Sequence, residues 1–389
     1  MITIILFFKV CKQKIDVFAC TKTCYNMINE NTTNLHEFGF NLNKYGWNDH
    51  LEELKLNSIF RSLPHGRIAV VNRTCYEVGS NSGILQCELT GNMLYGKSDY
   101  ELPCTGDWVI FQRFEENKGI IVDMLPRERI LHRKRNSSIS DRQAIASYID
   151  KAFIVQSLDA NFNMRRVERF MIQIIDANIQ PVLILNKADL EFDHELVQKS
   201  GKSLQQRMPL FMTSIHQPHT IARLRNYIQE GETIVVVGSS GVGKSSLINT
   251  LCKKSAVHTS EISRSTGKGR HTSTRRQMVA MEHGGILIDT PGVREFGLTA
   301  NSSETLTNAL EISDYAELCR FKNCTHHLEP GCAVLEAVNK GILDDKVYQN
   351  YLKLEREVNH FMASEHEKRK MKRSLSKLVK EAKRQKGIR

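Results

Sequence analysis

The chain is 389 residues long, with a formal net charge of +11, 41% hydrophobic and 25% charged residues. That length allows two or three domains with cores of their own, and that composition is ordinary for a soluble globular protein. Seven of the ten cysteines are scattered (Cys11, Cys20, Cys24, Cys75, Cys87, Cys104 and Cys252), which argues against a disulfide framework and for a reducing cytoplasm, while the basic balance calls for a polyanionic partner.

The N-terminal run MITIILFFKVCKQKIDVFAC has no basic region before its apolar stretch and no small-residue cleavage site, so it does not read as a signal peptide. It is also too short to span a bilayer. Met27 precedes a polar stretch that resembles a natural start, and residues 1–26 read as an upstream extension or disordered lead. Residues 1–58 are treated together as an N-terminal extension.

From 59 to 130 the pattern is all-β. GRIAVVN, GILQCELTG, DWVIFQRF and GIIVDML are short, partly alternating runs separated by Gly, Asn and Asp. Such strands build a small barrel of the OB type, which binds RNA; an SH3-like or other small barrel without a ligand fits the same periodicity. RERILHRKRNSSISD, 127–141, reads as a basic polar linker.

Strands then alternate with helices from 141 to 299, which predicts a parallel sheet covered on both faces. AFIVQSL, PVLILN, PLFMTSI, TIVVV and ILIDT are the strands, and NMRRVERFMIQIIDAN is an amphipathic helix. TIVVV runs into Gly238-Ser239-Ser240-Gly241-Val242-Gly243-Lys244-Ser245-Ser246 and then a helix start. A buried strand, a glycine-rich loop and a helix opening are the context of a phosphate loop, in which backbone N–H groups converge on phosphate oxygens. Lys244 then reaches the β- and γ-phosphates, and the Ser245 hydroxyl meets Mg²⁺. PVLILN ends in Asn186-Lys187-Ala188-Asp189. A carboxylate at Asp189 accepts from both guanine N1–H and its exocyclic amine, so GTP is favoured over ATP; Asn186 reaches the base edge and Lys187 lies along its face. ILIDT leads into Asp289-Thr290-Pro291-Gly292, a carboxylate for the metal shell and an N–H for the γ-phosphate. Between them, Gly269-Arg270-His271-Thr272-Ser273-Thr274 offers hydroxyls and a basic switch.

The order is unusual. NKAD precedes the phosphate loop and DTPG follows it, so the GTPase domain is circularly permuted. Val293 stands where a water-orienting glutamine is found in many small GTPases, which predicts slow intrinsic turnover. His271 is the candidate replacement; a plain solvated histidine is the equal alternative.

Residues 300–367 read as a helical domain holding Cys319-x4-Cys324-x-His326-x5-Cys332. Three thiolates and one imidazole form a closed set for structural zinc, with His327 the rival ligand. The tail, 368–389, carries eleven Lys or Arg against Glu381 on an extension of a long helix.

Together these features resemble the ribosome small-subunit-dependent GTPase A family over roughly residues 60–360. The resemblance implies an OB-like barrel, a permuted P-loop GTPase domain and a C-terminal zinc-binding helical domain. It also implies GTP hydrolysis stimulated by the small ribosomal subunit and its rRNA late in that subunit's assembly, one zinc, Mg²⁺ with GTP, and a cytoplasmic monomer without membrane contact. The family's switch motif has three threonines; here the middle one is Ser273, which keeps a hydroxyl. An RNA-binding scaffold with a structural nucleotide pocket is the alternative.

Overall fold

The computed structural model describes residues 41–72, 74–134, 142–159, 162–191, 204–252, 276–281, 284–289, 306–307 and 310–362. Five strands come first: β1 (His65–Val71), β2 (Tyr76–Ser80), β3 (Gly83–Leu89), β4 (Trp108–Glu115) and β5 (Lys118–Met124). They pair in the order β1-β2-β3-β5-β4, and β4 returns to β1, so the sheet closes into an OB-like barrel. Strand β2, TCYEVGS in the sequence, has too few apolar residues to announce itself and is found only in the structure.

Residues of β4 alternate between two cores, which explains its unbroken apolar start. Val109 and Phe111 point inward to Ile68, Val78, Leu85 and Ile121. Trp108 and Ile110 point outward, where Leu42 and Leu51 cover them. Leu42 lies in a short 3₁₀ turn, and Leu51 in helix α1 (Asp49–Leu56), whose first turn is capped by Asn48 Oδ1 accepting from Leu51 N at 3.0 Å. Residues 42–56, grouped with the extension on sequence, therefore complete the outside of the barrel. Two buried leucines in a polar segment left no periodicity to read.

The segment read as a linker contains structure as well. Strand β6 (Leu131–Lys134) pairs antiparallel with β7 (Arg142–Ala146), and Leu131, Ile145 and Ala146 are buried in the next core. Basic and polar neighbours hid three apolar anchors.

The second layer system comprises β8 (Lys151–Ser157), α2 (Met164–Asp176), β9 (Gln180–Asn186), β10 (Leu210–Thr213), α3 (Pro218–Asn226), β11 (Thr233–Val237), α4 (Lys244–Cys252), β12 (Gln277–Ala280) and β13 (Ile286–Asp289). Strands β10-β9-β8-β11-β13 are parallel, and β12 lies antiparallel against β13. Period-two alternation divides these strands between two cores. Ile154, Leu183, Val235 and Ile288 face Val167, Phe170 and Met171 of α2. Phe153, Val182, Ile234 and Leu287 face Ile221 and Leu224 of α3 with Leu247 and Leu251 of α4. The outer edge of β1 is shared: His65–Arg67 close the barrel, and Val70 pairs with Gln277 of β12. Barrel and parallel sheet are thereby one continuous sheet.

Helices α5 (Ala333–Asn339) and α6 (Asp345–Met362) follow. Their buried residues Val334, Ala337, Tyr351, Leu354 and Val358 join the α2 core rather than forming one of their own. The basic tail, 368–389, lies outside the described residues.

Candidate nucleotide site and metal centre

At the end of β11 the chain turns at Gly238 with φ +144°, and a Cβ there would overlap the carbonyl oxygen of Val155. Only glycine tolerates both the angle and the contact. Gly243 has φ +91°, and its missing Cβ leaves room for the Asn186 amide. Between them the loop curls until α4 begins at Lys244, with Ser245 and Ser246 half-buried in its first turn. Lys244 Nζ donates to the carbonyls of Gly238 at 2.8 Å and Ser239 at 2.5 Å, so the cation spans the mouth of the loop. Ser240 Oγ is buried and has no hydrogen-bond partner among the described residues. An orphaned hydroxyl beside glycine N–H groups fits an oxygen-rich ligand.

The NKAD stretch is fastened to this loop. Asn186, buried, donates Nδ2 to Val242 O at 2.9 Å and accepts from Thr213 Oγ1 at 3.1 Å. Its amide thus bridges the two halves of the site, where sequence reasoning assigned it to the base edge. Lys187 has φ +62°, and its Nζ meets Asp159 Oδ2 at 2.9 Å. Ala188 N donates to Thr213 O at 3.0 Å. Asp189, exposed, accepts from Ser214 Oγ at 2.5 Å, and that hydrogen bond holds its carboxyl below the usual range. The acceptor carboxylate is exposed to solvent and ionised at neutral pH.

Asp289 closes the site at the end of β13. Burial pushes its carboxyl up to about 6, against the opposing pull of Lys244. A buried carboxylate of this kind gains from a divalent cation, and Asp289 with Ser245 fits a magnesium shell built around phosphates. Such an ion neutralises charge on the phosphate oxygens. His271, Thr272, Ser273, Thr274, Gly292 and Val293 lie outside the described residues.

A second cluster lies in the C-terminal unit. The ligand atoms of Cys319, Cys324, His326 and Cys332 are all within 4.8 Å of one another. Cys319 Sγ lies 3.9 Å from Cys332 Sγ and 3.6 Å from His326 Nδ1, and Cys332 Sγ lies 3.5 Å from the same nitrogen. A tetrahedral ion with metal–sulfur bonds of ~2.3 Å and a metal–nitrogen bond of ~2.0 Å has edges of roughly 3.5–3.8 Å, so the donor set fits one such ion. Sulfur predominates, which favours a soft or borderline metal. His326 adopts φ +60°, and Tyr348 Oη donates to its carbonyl at 2.8 Å. The rival His327 points elsewhere, its Nε2 2.8 Å from the buried Glu355 carboxylate.

The sequence pattern of the RsgA GTPase family matches residues 124–299. Over 347 residues the chain is 62% identical to small ribosomal subunit biogenesis GTPase RsgA 1 of Bacteroides thetaiotaomicron, covering 89% of this chain and 98% of that one. The chain belongs to the RsgA GTPase family. It is accordingly a GTP hydrolase. A second RsgA protein, from Listeria innocua, is 36% identical over 317 residues, covering 82% of this chain and 89% of its own. The pattern described as 50S ribosome-binding GTPase matches residues 233–383. YjeQ from Thermotoga maritima superposes with a TM-score of 0.59 at 24% identity, over 76% of this chain and 98% of that structure. YloQ, titled a circularly permuted GTPase, gives 0.57 at 24% over 76% and 95%. These two likenesses speak to the fold alone, and the fold is the permuted one.

Sequence reasoning missed two contributors to this RsgA site. Arg166 Nη1 donates to Ser239 Oγ at 3.1 Å, and Asp159 holds Lys187. Each partner is more than twenty positions away in the chain, so no local motif marks the pair.

Proposed function

We propose that this RsgA GTPase acts as a timing switch in the late assembly of the small ribosomal subunit, its turnover stimulated by that subunit and its rRNA. The observation that carries the reading is the bridge from Asn186 to Val242 O at 2.9 Å, which makes the guanine-type strap and the phosphate loop one pocket. The 62% identity to a protein named for small-subunit biogenesis supports the choice of partner. In this reading Lys244 holds the β- and γ-phosphates and Ser245 and Asp289 hold magnesium. Asp189 selects guanine, and His271 orients the attacking water once RNA fixes its segment, since Val293 has no polar atom for that task. Cys319, Cys324, His326 and Cys332 hold one zinc whose role is structural, because four protein ligands leave no open position.

The barrel and the basic tail are the proposed RNA contacts, and a cytoplasmic monomer is the proposed state. Among the described residues, no helix is long and apolar enough to cross a membrane. The test is GTP turnover measured alone, with small subunits and with large subunits. Stimulation by small subunits only is expected; stimulation by large subunits only would transfer the role to the other particle. Deleting residues 368–389 should leave GTP binding unchanged, weaken small-subunit binding and flatten its log–log dependence on salt.

A further inference from the structure

Helix α2 touches the phosphate loop and helix α6 within one turn. Near its start, Arg166 Nη1 donates to the hydroxyl of Ser239, the second residue of the phosphate loop. Two residues on, Glu168 Oε2 accepts from Asn350 Nδ2 at 2.6 Å, and Arg169 Nη1 meets Glu357 Oε1 at 3.0 Å. Asn350 and Glu357 are both on α6. Helix α6 in turn braces the metal cluster, through Tyr348 Oη on the His326 carbonyl at 2.8 Å and through the Tyr351 ring, edge-on to the His326 imidazole with centroids 6.0 Å apart. The first turn of α2 is fixed by Asn163, whose Oδ1 accepts from Arg166 N, and its inner face is buried at Val167, Phe170 and Met171. The single helical turn from Arg166 to Arg169 makes a stiff connection.

Nucleotide charge supplies the force. Ser239 is held from two sides, its carbonyl by Lys244 and its hydroxyl by Arg166. When Lys244 turns to the β- and γ-phosphates it leaves that carbonyl. A guanidinium this close to the loop is drawn to the same oxygens, and an arginine forms such charge-assisted bonds strongly. Arg166 then changes partner, and the turn that carries it also carries Glu168 and Arg169.

We propose that Arg166 is a positioning residue that couples triphosphate occupancy of the phosphate loop, through α2, to the docking of α6 and the metal-bearing unit. The proposal rests on the GTP reading of the loop and adds a route to it.

The experiment is a double-mutant cycle on the full, metal-loaded chain. Affinities for GDP and for a non-hydrolysable GTP analogue are measured in the unsubstituted protein, Arg166→Ala, Asn350→Ala and the double variant. Glu357→Gln serves as a milder α6 change, and Arg166→Lys as the conservative rescue. Asn350→Ala is expected to shift the triphosphate-to-diphosphate affinity ratio about fivefold or more, although α6 holds none of the nucleotide-site residues. Arg166→Ala should abolish that sensitivity, and Arg166→Lys should restore part of it. By reciprocity the triphosphate analogue should change amide hydrogen exchange in α6 of the unsubstituted chain and leave it unchanged in Arg166→Ala. An unchanged ratio in both Asn350→Ala and Glu357→Gln, or strictly additive effects in the cycle, overturns the coupling while leaving GTP binding standing. Failure of the unsubstituted chain to bind either guanine nucleotide overturns the GTP reading itself.

Discussion

The nucleotide site and the metal centre are held in place by different means. The phosphate loop hangs from β11, whose five residues are all buried, and it is flanked by strands buried on both faces. Its geometry is a property of the sheet, present before any ligand arrives. The Cys/His cluster sits among irregular turns, with Leu318 and Leu328 exposed at 72% and 91% on either side. Two apolar residues next to the cluster face solvent, while Cys332 is buried in the α2 core with Cys319 and Cys324 packed against it, so the donors sit at the edge of a core and converge on a position that fits one metal ion. One site is built by packing within a sheet, and the other adds a metal-competent donor set to the edge of a core.

The strongest way to break that contrast is Gly238→Ala. The new Cβ would strike the Val155 carbonyl at a φ reserved for glycine, so nucleotide affinity should fall by two orders of magnitude or more, on the order of 3 kcal/mol, while metal content is unchanged. Calorimetric nucleotide titration with metal analysis of the same sample checks both halves. Retained affinity would mean that the sheet does not dictate the loop. Cys332→Ser is the reciprocal change. It should lose the metal and loosen residues 310–362, with guanine nucleotide binding kept to within about tenfold. Metal analysis showing a full zinc complement in that variant would hand the fourth position to another group, His327 first.

A smaller effect separates recognition from scaffolding. Asp189→Asn replaces an acceptor by a donor and should exchange preference from GTP to xanthosine triphosphate, by about tenfold. Competition binding with the two triphosphates would show a kept GTP preference if the base were read elsewhere. The smallest concerns the seam where the two sites meet. Burial and the Glu311 charge push the Glu168 carboxyl up to about 7, against the opposing pull of Arg165, Arg207 and Asn350. A carboxyl raised in the folded state contributes stability at pH below its unfolded value, and that contribution is lost as pH rises through the folded one. Between about pH 5 and 8 the protein should therefore lose of order 1 kcal/mol that Glu168→Gln retains. Thermal melts of both proteins across that range decide it, and parallel curves would refute the assignment.

Much of this was legible because the relevant chemistry is local. A glycine-rich loop between strand and helix, a strand-end NKAD and a Cys/His spacing are each written in consecutive residues. The permuted order followed from reading them along the chain. What stayed hidden depends on distant partners. Strands β2, β6 and β12 are short, the first two also polar, and they become strands only because a neighbour supplies the ladder. Leu42 and Leu51 in a polar segment acquire meaning only against Trp108. The partner that holds the rival His327, Glu355, lies twenty-eight residues beyond it, and no spacing rule reaches that far.

The division of β1 between two neighbours has a consequence for how the chain tolerates being cut. His65–Arg67 pair with β4 while Val70 pairs with Gln277, so among the described residues the β12-facing edge of the far half of β1 and the outer side of β12 are covered only by each other. Separated, each would present unpaired amides and carbonyls to solvent, a ready template for strand addition by another molecule. The barrel and the GTPase sheet thus act as each other's guard against self-association. A fragment ending after Leu125 should aggregate where the whole protein stays dispersed.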